Sequence, residues 1–237
     1  VKITEETIRH ANEMVGTLTR TIKRKKIESV SLAKSGAQLS HYTKLAAQVV
    51  DQTRRRVFER ESVPAGEKIV SIFEEHTDVI VKDQRDTLYG HKVLLSTGRS
   101  TLVLDCKVLE GNPADSTLAE TMIDRHIEIM GHAPRQVAYD GGFTSRANLE
   151  AIKAKGVEDV AFSKARSLPV ADMARSNRVY NKLRDFRAGI EATISSLKRS
   201  FGLYRCTWKS VDSFKTYIWS SVLSFNLLVI ARHQLQT

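Results

Sequence analysis

With 237 residues, 41% hydrophobic and 27% charged, the chain has room for one sizeable globular domain and an appendage. A formal net charge of +10 is too far from neutral for an ordinary solubility surface, and it points to an anionic partner, nucleic acid before membrane. The charge is also segregated. Residues 1–60 carry 13 Lys+Arg against 6 Asp+Glu and residues 175–209 carry 9 against 2, while residues 61–174 carry 13 against 18.

In chain order, Thr4 to Ile22 is predicted as a helix, with Ile8, Ala11, Val15, Leu18 and Ile22 at helical steps and Thr4 as its cap. It runs into Arg20, Lys23, Arg24, Lys25 and Lys26, and Ser29 to Gly36 reads as a turn or linker. A second helix, Ala37 to Arg60, ends at Arg54-Arg55-Arg56, cations that suit a helix C-terminus or a DNA-contacting arm. Ser62-Val63-Pro64-Ala65-Gly66 marks the domain boundary: residues 1–62 form a basic helical segment and 63–237 the main domain.

Beyond it the pattern turns strand-like. Ile69 to Phe73 is a short strand, and Tyr89–Leu95 with Thr101–Leu109 forms an antiparallel hairpin. A helix over Thr117–Met130 is capped by Asp115 or Ser116 and stopped by Gly131. Then come a strand Gln136–Tyr139, a turn Asp140-Gly141-Gly142-Phe143, a helix Ser145–Lys155 and a strand Val157–Phe162. Lys164–Val179 reads as irregular, Tyr180–Arg199 as a helix with a break at Gly189, and Val211–Leu235 as a closing helix. The order implies an α/β fold, a mixed sheet with helices packed on it. The apolar stretch Tyr217–Ala231 is interrupted by Ser220, Ser221, Ser224 and Asn226, so it reads as a buried helix, with no membrane partner. Cys106 and Cys206 lie in no metal-ligand spacing and read as reduced intracellular thiols, and the polar N-terminus is no signal peptide.

Two carboxylates draw the chemistry. Asp140 follows a strand, where ligand sites of open α/β sheets gather, although Asp-Gly is also an ordinary turn. Glu191 lies four residues after Arg187 and seven before Lys198, on one side of a helix whose other side carries Ile190, Ile194 and Leu197. Alone, Glu191 is equally an ion-paired surface residue. Together, two acids in basic surroundings fit Mg²⁺ (or Mn²⁺) held against phosphate, which suits in-line phosphodiester displacement. Nearby Arg and Lys would hold the backbone without reading sequence. There is no Gly-rich phosphate loop, no zinc spacing among the seven histidines, and no nucleophile elbow at Ser195.

From Arg54 onward the chain resembles bacterial insertion-sequence transposases with a DDE catalytic domain of the ribonuclease H-like fold. The likeness is nearest to the group long left outside the named insertion-sequence families. It rests on Arg54-Arg55-Arg56-Val57 with Glu61-Ser62-Val63-Pro64, on Glu67 to Thr77, on Gly90-His91-Lys92-Val93, on Asp140-Gly141-Gly142-Phe143, on Arg187-Ala188-Gly189-Ile190-Glu191, on Leu197-Lys198-Arg199 and on Asn226-Leu227. Arg187, Glu191 and Lys198 match three positions of a Tyr-x2-Arg-x3-Glu-x6-Lys pattern; the Tyr position is Arg184, with Tyr180 one turn earlier.

The resemblance implies that Asp140 and Glu191 are the second and third metal-binding acids. It further implies that Lys198, with Arg199 and Arg184, contacts DNA, and that Arg187 orients Glu191 or a phosphate. The implied partners are double-stranded DNA, as element ends and target, and a second copy as a homodimer on DNA; the implied location is the bacterial cytoplasm. The first acid is expected upstream of Val1, which makes the chain an N-terminally truncated member, with Asp78 as the in-chain alternative and Asp105 as a weaker one. The expected activity is cleavage and strand transfer at element ends. A catalytically inactive DNA-binding remnant is the alternative, ahead of a different ribonuclease H-like nuclease and a basic scaffold protein.

Overall fold

The computed structural model describes residues 1–25, 30–82 and 86–235. The chain divides into two compact units, Val1–His91 and Lys92–Thr237.

In the first unit, α1 (Lys2–Lys25) packs on α2 (Val30–Thr53), which continues through a π-helical turn, Arg54–Phe58. Helix α2 begins at Val30, so the linker expected over 29–36 is helical from its second residue; Ser29, like Lys26 of the basic cluster, lies outside the described residues. Thr4 is inside α1 rather than its cap. No strand forms over 69–73. Instead the Gln52 side chain takes the place of a strand neighbour: its amide donates to Ile69 O (2.8 Å) and its carbonyl accepts from Ile69 N (2.9 Å), while Gln48 donates to Glu67 O (3.1 Å). A backbone whose donor and acceptor are satisfied by one glutamine needs no ladder. The strands of this unit are β1 (Asp78–Lys82) and β2 (Asp86–Gly90), paired antiparallel with Asp78 opposite Gly90.

The second unit opens with β3 (Val93–Thr97) and β4 (Val103–Val108), the predicted hairpin, antiparallel with an irregularity at Ser96/Thr97. The strand expected over 89–95 is therefore split at Gly90–Lys92, where Gly90 adopts φ +151°. A 3-10 turn, Asp115–Thr117, leads into α3 (Ala119–Met130). Neither Asp115 nor Ser116 caps it, whereas Gly131 closes it at φ 76° as expected. Then β5 (Gln136–Tyr139), α4 (Arg146–Ala154, capped by Ser145) and β6 (Asp159–Phe162) form a β–α–β unit with the strands parallel. A short α5 (Val170–Met173) interrupts the segment expected to be irregular. Helix α6 (Asn177–Ser200) is capped by Ser176 and runs unbroken through Gly189, and α7 (Val211–Leu235) ends the unit.

The fold is thus mixed α/β, with three two-stranded sheets among the described residues rather than one larger mixed sheet. Among the described residues, three buried clusters hold the second unit, the smallest being Leu94, Leu109 and Leu118. Of the larger two, one gathers Ile123, Leu149, Ile152, Val160, Phe162 and Tyr180 around β5 and β6. The other packs Val103 and Cys106 of β4 against Leu197 of α6 and Ile218, Val222, Phe225 and Val229 of α7. By length and composition alone α7 is long and apolar enough to cross a membrane. One face of it nevertheless serves this core, and Asn226 clamps β4 by donating to Val103 O and accepting from Val103 N, both at 2.9 Å.

A candidate active site at the end of β5

The site is built from three positions. Tyr139, the last residue of β5, is fixed by its hydroxyl, which donates to Ala119 O (3.0 Å), and by its carbonyl, which accepts from Ser163 N (3.0 Å). Asp140 therefore leaves the strand at a defined place and caps the 3-10 turn Gly141–Phe143. Its Oδ1 accepts from Gly141 N (2.6 Å) and from the Ser163 hydroxyl (3.1 Å). Its Oδ2 faces Arg187 Nη2 at 3.0 Å.

Arg187 reaches this point from α6, whose buried residues Tyr180, Leu183, Thr193 and Leu197 bring the helix against β5 and β6. The side chain is 24% exposed, and helical spacing puts it nearly in line with the buried Tyr180 and Leu183. From there its other terminal nitrogen, Nη1, holds Glu191 Oε1 at 2.8 Å one turn further on. One guanidinium thus ties two carboxylates from separate elements. Asp140 and Glu191 keep 58% and 64% of their side-chain surface exposed. Partial burial disfavours the charged form of Asp140, but the Gly141 amide, the Ser163 hydroxyl and the Arg187 guanidinium together hold its pKa below the ordinary Asp value.

The two glycines after Asp140 admit the chain's own side chains. A Cβ on Gly141 would lie 3.0 Å from Lys164 Cβ, and one on Gly142 would lie 2.5 Å from Asp115 Oδ2. Asp115 in turn is held by Lys92 Nζ at 2.6 Å. The space left by the two absent Cβ atoms is thus occupied by Lys164 and Asp115.

The remaining predicted residues divide. Lys198 and Arg199 are exposed in the last turn of α6, Lys198 about 10 Å along the axis from Glu191. Arg184 is exposed, 5.9 Å above the Tyr180 ring. Tyr180 itself is a core residue, 6% exposed, whose hydroxyl donates to Phe162 O. The two in-chain alternatives for a first acid are both engaged elsewhere. Asp105 on β4 makes two 2.6 Å contacts with Arg125 and accepts from Cys106 N. Asp78, in the first unit, accepts from His91 Nδ1 at 3.0 Å.

Ser163, Lys164 and the Asp115–Lys92 pair were not singled out from sequence. Ser163 was reachable: parallel strands joined by one helix place their C-terminal ends side by side, so the residue after β6 faces the residue after β5.

Residues 81–227 match the family model described as the transposase DDE domain, and this covers more than half of the chain. The chain belongs to that family. No curated protein and no solved structure matches it. Transposase DDE domains act on DNA and generally use divalent metals, and proteins of the family are typically soluble and cytoplasmic. At the end of β5 two carboxylates, Asp140 and Glu191, stand beside one guanidinium; among the described residues no group of three or more His, Cys, Asp and Glu gathers to hold a metal. Two solvent-open acids fit an ion that draws its other ligands from water and phosphate oxygens, as Mg²⁺ does.

Proposed function

We propose that the chain is the catalytic part of an insertion-sequence transposase, and that Asp140 and Glu191 are two of its metal-binding acids. The observation that carries this is the Arg187 bridge, which puts both acids beside one guanidinium at the C-terminal end of a parallel strand. The parallel β5–α4–β6 unit, with α6 packed on both its strands, supports the same reading. When bound between these acids, Mg²⁺ or Mn²⁺ would supply charge stabilisation for phosphodiester displacement.

The chain's own residues do the rest. Gly141 N and the Ser163 hydroxyl fix the Asp140 carboxylate in its ionised form. Arg187 holds both acids in register and presents a cation to an incoming phosphate. Lys198, Arg199 and Arg184 extend that charge along α6 and hold the backbone of duplex DNA without reading its sequence. Residues 1–62 are read as the end of an insertion or DNA-binding region and 63–237 as the ribonuclease H-like domain. The first compact unit reaches beyond residue 62 because Gln48 and Gln52 hold residues 67–69 to α2. A homodimer in the bacterial cytoplasm, pairing two element ends, completes the proposal.

The alternative is a DNA-binding remnant without catalysis. It is favoured by the two-acid donor set and by the engagement of Asp78 and Asp105. Incubating the chain with DNA that carries the element's terminal sequences and Mg²⁺ separates the two. Cleavage that disappears in Asp140→Ala and in Glu191→Ala supports the transposase reading. Salt-sensitive DNA retention with no cleavage at any Mg²⁺ or Mn²⁺ concentration supports the remnant.

A further inference from the structure

The segment between α6 and α7 is unlike any other loop of the second unit. Residues 198–209 contain four cations, Lys198, Arg199, Arg205 and Lys209, and no carboxylate. All four are exposed, and none makes an ion pair among the described residues. Between them stand two exposed aromatics, Tyr204 (85%) and Trp208 (50%).

The loop is also held in place. Tyr217 of α7 donates its hydroxyl to Gly202 O at 2.7 Å and lies within 3.3 Å of Arg205 O. Gly202 sits at φ +80°, and a Cβ there would lie 2.5 Å from that hydroxyl. The Trp208 ring meets the Tyr217 ring edge-on at 5.5 Å, and Leu203 N donates to Leu197 O. An isolated exposed tyrosine would need no explanation. A tyrosine ring projected from a braced, wholly cationic loop has the make-up of a site that neutralises phosphates and stacks on a base.

We propose that this loop is a stacking platform for an unpaired nucleotide, with the Tyr204 ring as the platform and Arg205 and Lys209 on the flanking phosphates. Paired bases inside a duplex offer no free face, so the ligand is a base outside the helix, as at a frayed or opened DNA end. The loop follows directly on α6, and the end of that helix is about 14 Å along the axis from Glu191. That spacing lets one DNA end reach both places. The inference rests on the DNA-processing reading above for the nature of its ligand, and on the loop alone for where that ligand binds.

The test is fluorescence anisotropy of the whole chain with three labelled DNAs of common duplex sequence: blunt, carrying a short unpaired 3′ tail, and carrying a tail of the same length without bases. The expected result is a gain of about tenfold for the base-carrying tail and none for the abasic one. Tyr204→Ala should abolish the gain and Tyr204→Phe should keep it; at 85% exposure neither change touches the core. Arg205→Ala with Lys209→Ala should weaken the two tailed DNAs alike, because both carry the flanking phosphates. Three results would overturn the platform while leaving the DNA reading standing: equal binding of all three DNAs, an unchanged gain in Tyr204→Ala, or a gain lost equally in Tyr204→Phe. Failure to bind even the blunt duplex at low salt would overturn both.

Discussion

Two regions of the molecule put acidic side chains beside cations or imidazoles, and they do so in opposite ways. In the second unit Asp140 and Glu191 share Arg187 while more than half of each acid's side-chain surface stays open. In the first unit Glu74, His76, His91 and Asp78 form one chain: Glu74 to His76 Nε2 at 2.7 Å, His76 Nδ1 to His91 Nε2 at 2.7 Å, and His91 Nδ1 to Asp78 at 3.0 Å. The two imidazoles stack 5.0 Å apart, and His91 keeps only 8% exposure. This chain of contacts links polar groups to one another and fastens the start of β1 to the end of β2. The open pair leaves oxygens for an ion or substrate. Similar residue types can therefore be linked to one another or left open, and exposure of the acids distinguishes the two arrangements.

Substitutions sharpen the contrast. The largest effect expected is on cleavage: Asp140→Ala and Glu191→Ala should each lose about 10³-fold or more, the scale of an acid that holds a catalytic metal. Thermal unfolding should barely move, because both side chains are mostly exposed. In the first unit's chain of contacts the pattern should reverse. His91→Ala strands Asp78 and His76 and should destabilise the first unit by about 1–3 kcal/mol, read by chemical denaturation, with DNA cleavage per folded molecule unchanged.

Acid titration probes a third carboxylate. Asp159 is fully buried; burial pushes its pKa up, but the Arg175 amide, the Gln136 side chain and the Arg175 guanidinium hold it below the ordinary Asp value. Asp140 is shifted the same way. A depressed folded-state pKa gives stability that is present above the unfolded Asp value of about 3.9 and is lost as pH falls through the folded one. Stability measured by denaturant should thus fall on acidification below about pH 4, and Asp159→Asn should flatten that limb while lowering stability at neutral pH.

The smallest effect is chemical. Burial, with Asp105 adding to it and Arg125 opposing, pushes the Cys106 thiol up to about 12. A thiol reagent should label the partly exposed Cys206 and leave Cys106 unlabelled until the protein unfolds. Equal labelling of both in the native protein would mean that the packing of β4 on α7 is wrong.

Much of the second unit was legible in the sequence because its signals are local. Gly131, Ser145 and the alternation through 93–108 mark ends and faces within a few residues. The first unit was less legible because distant side chains decide it. Residues 69–73 have the composition of a strand, and Gln52, seventeen positions away from Ile69, removes the need for one. Gly189 is a helix breaker by propensity alone, yet burial of Leu183, Thr193 and Leu197 on either side carries α6 through it. At the site, Glu191 and Asp140 were readable as acids near cations. That Arg187 reaches across to Asp140 was not, because it depends on where α6 lies against β5. The clue available was a cation standing nearly in line with Tyr180 and Leu183.

The coupling of the two acids through Arg187 is the central claim, and a double-mutant cycle on metal-dependent DNA cleavage tests it most directly. Asp140→Asn, Glu191→Gln and the double variant should be compared with the parent chain on one DNA substrate at saturating Mg²⁺. Acids that act as one unit are strongly non-additive, so the double variant should cleave no more slowly than the worse single variant. Losses that multiply in the double variant, or a single variant that keeps full activity, would contradict a shared site.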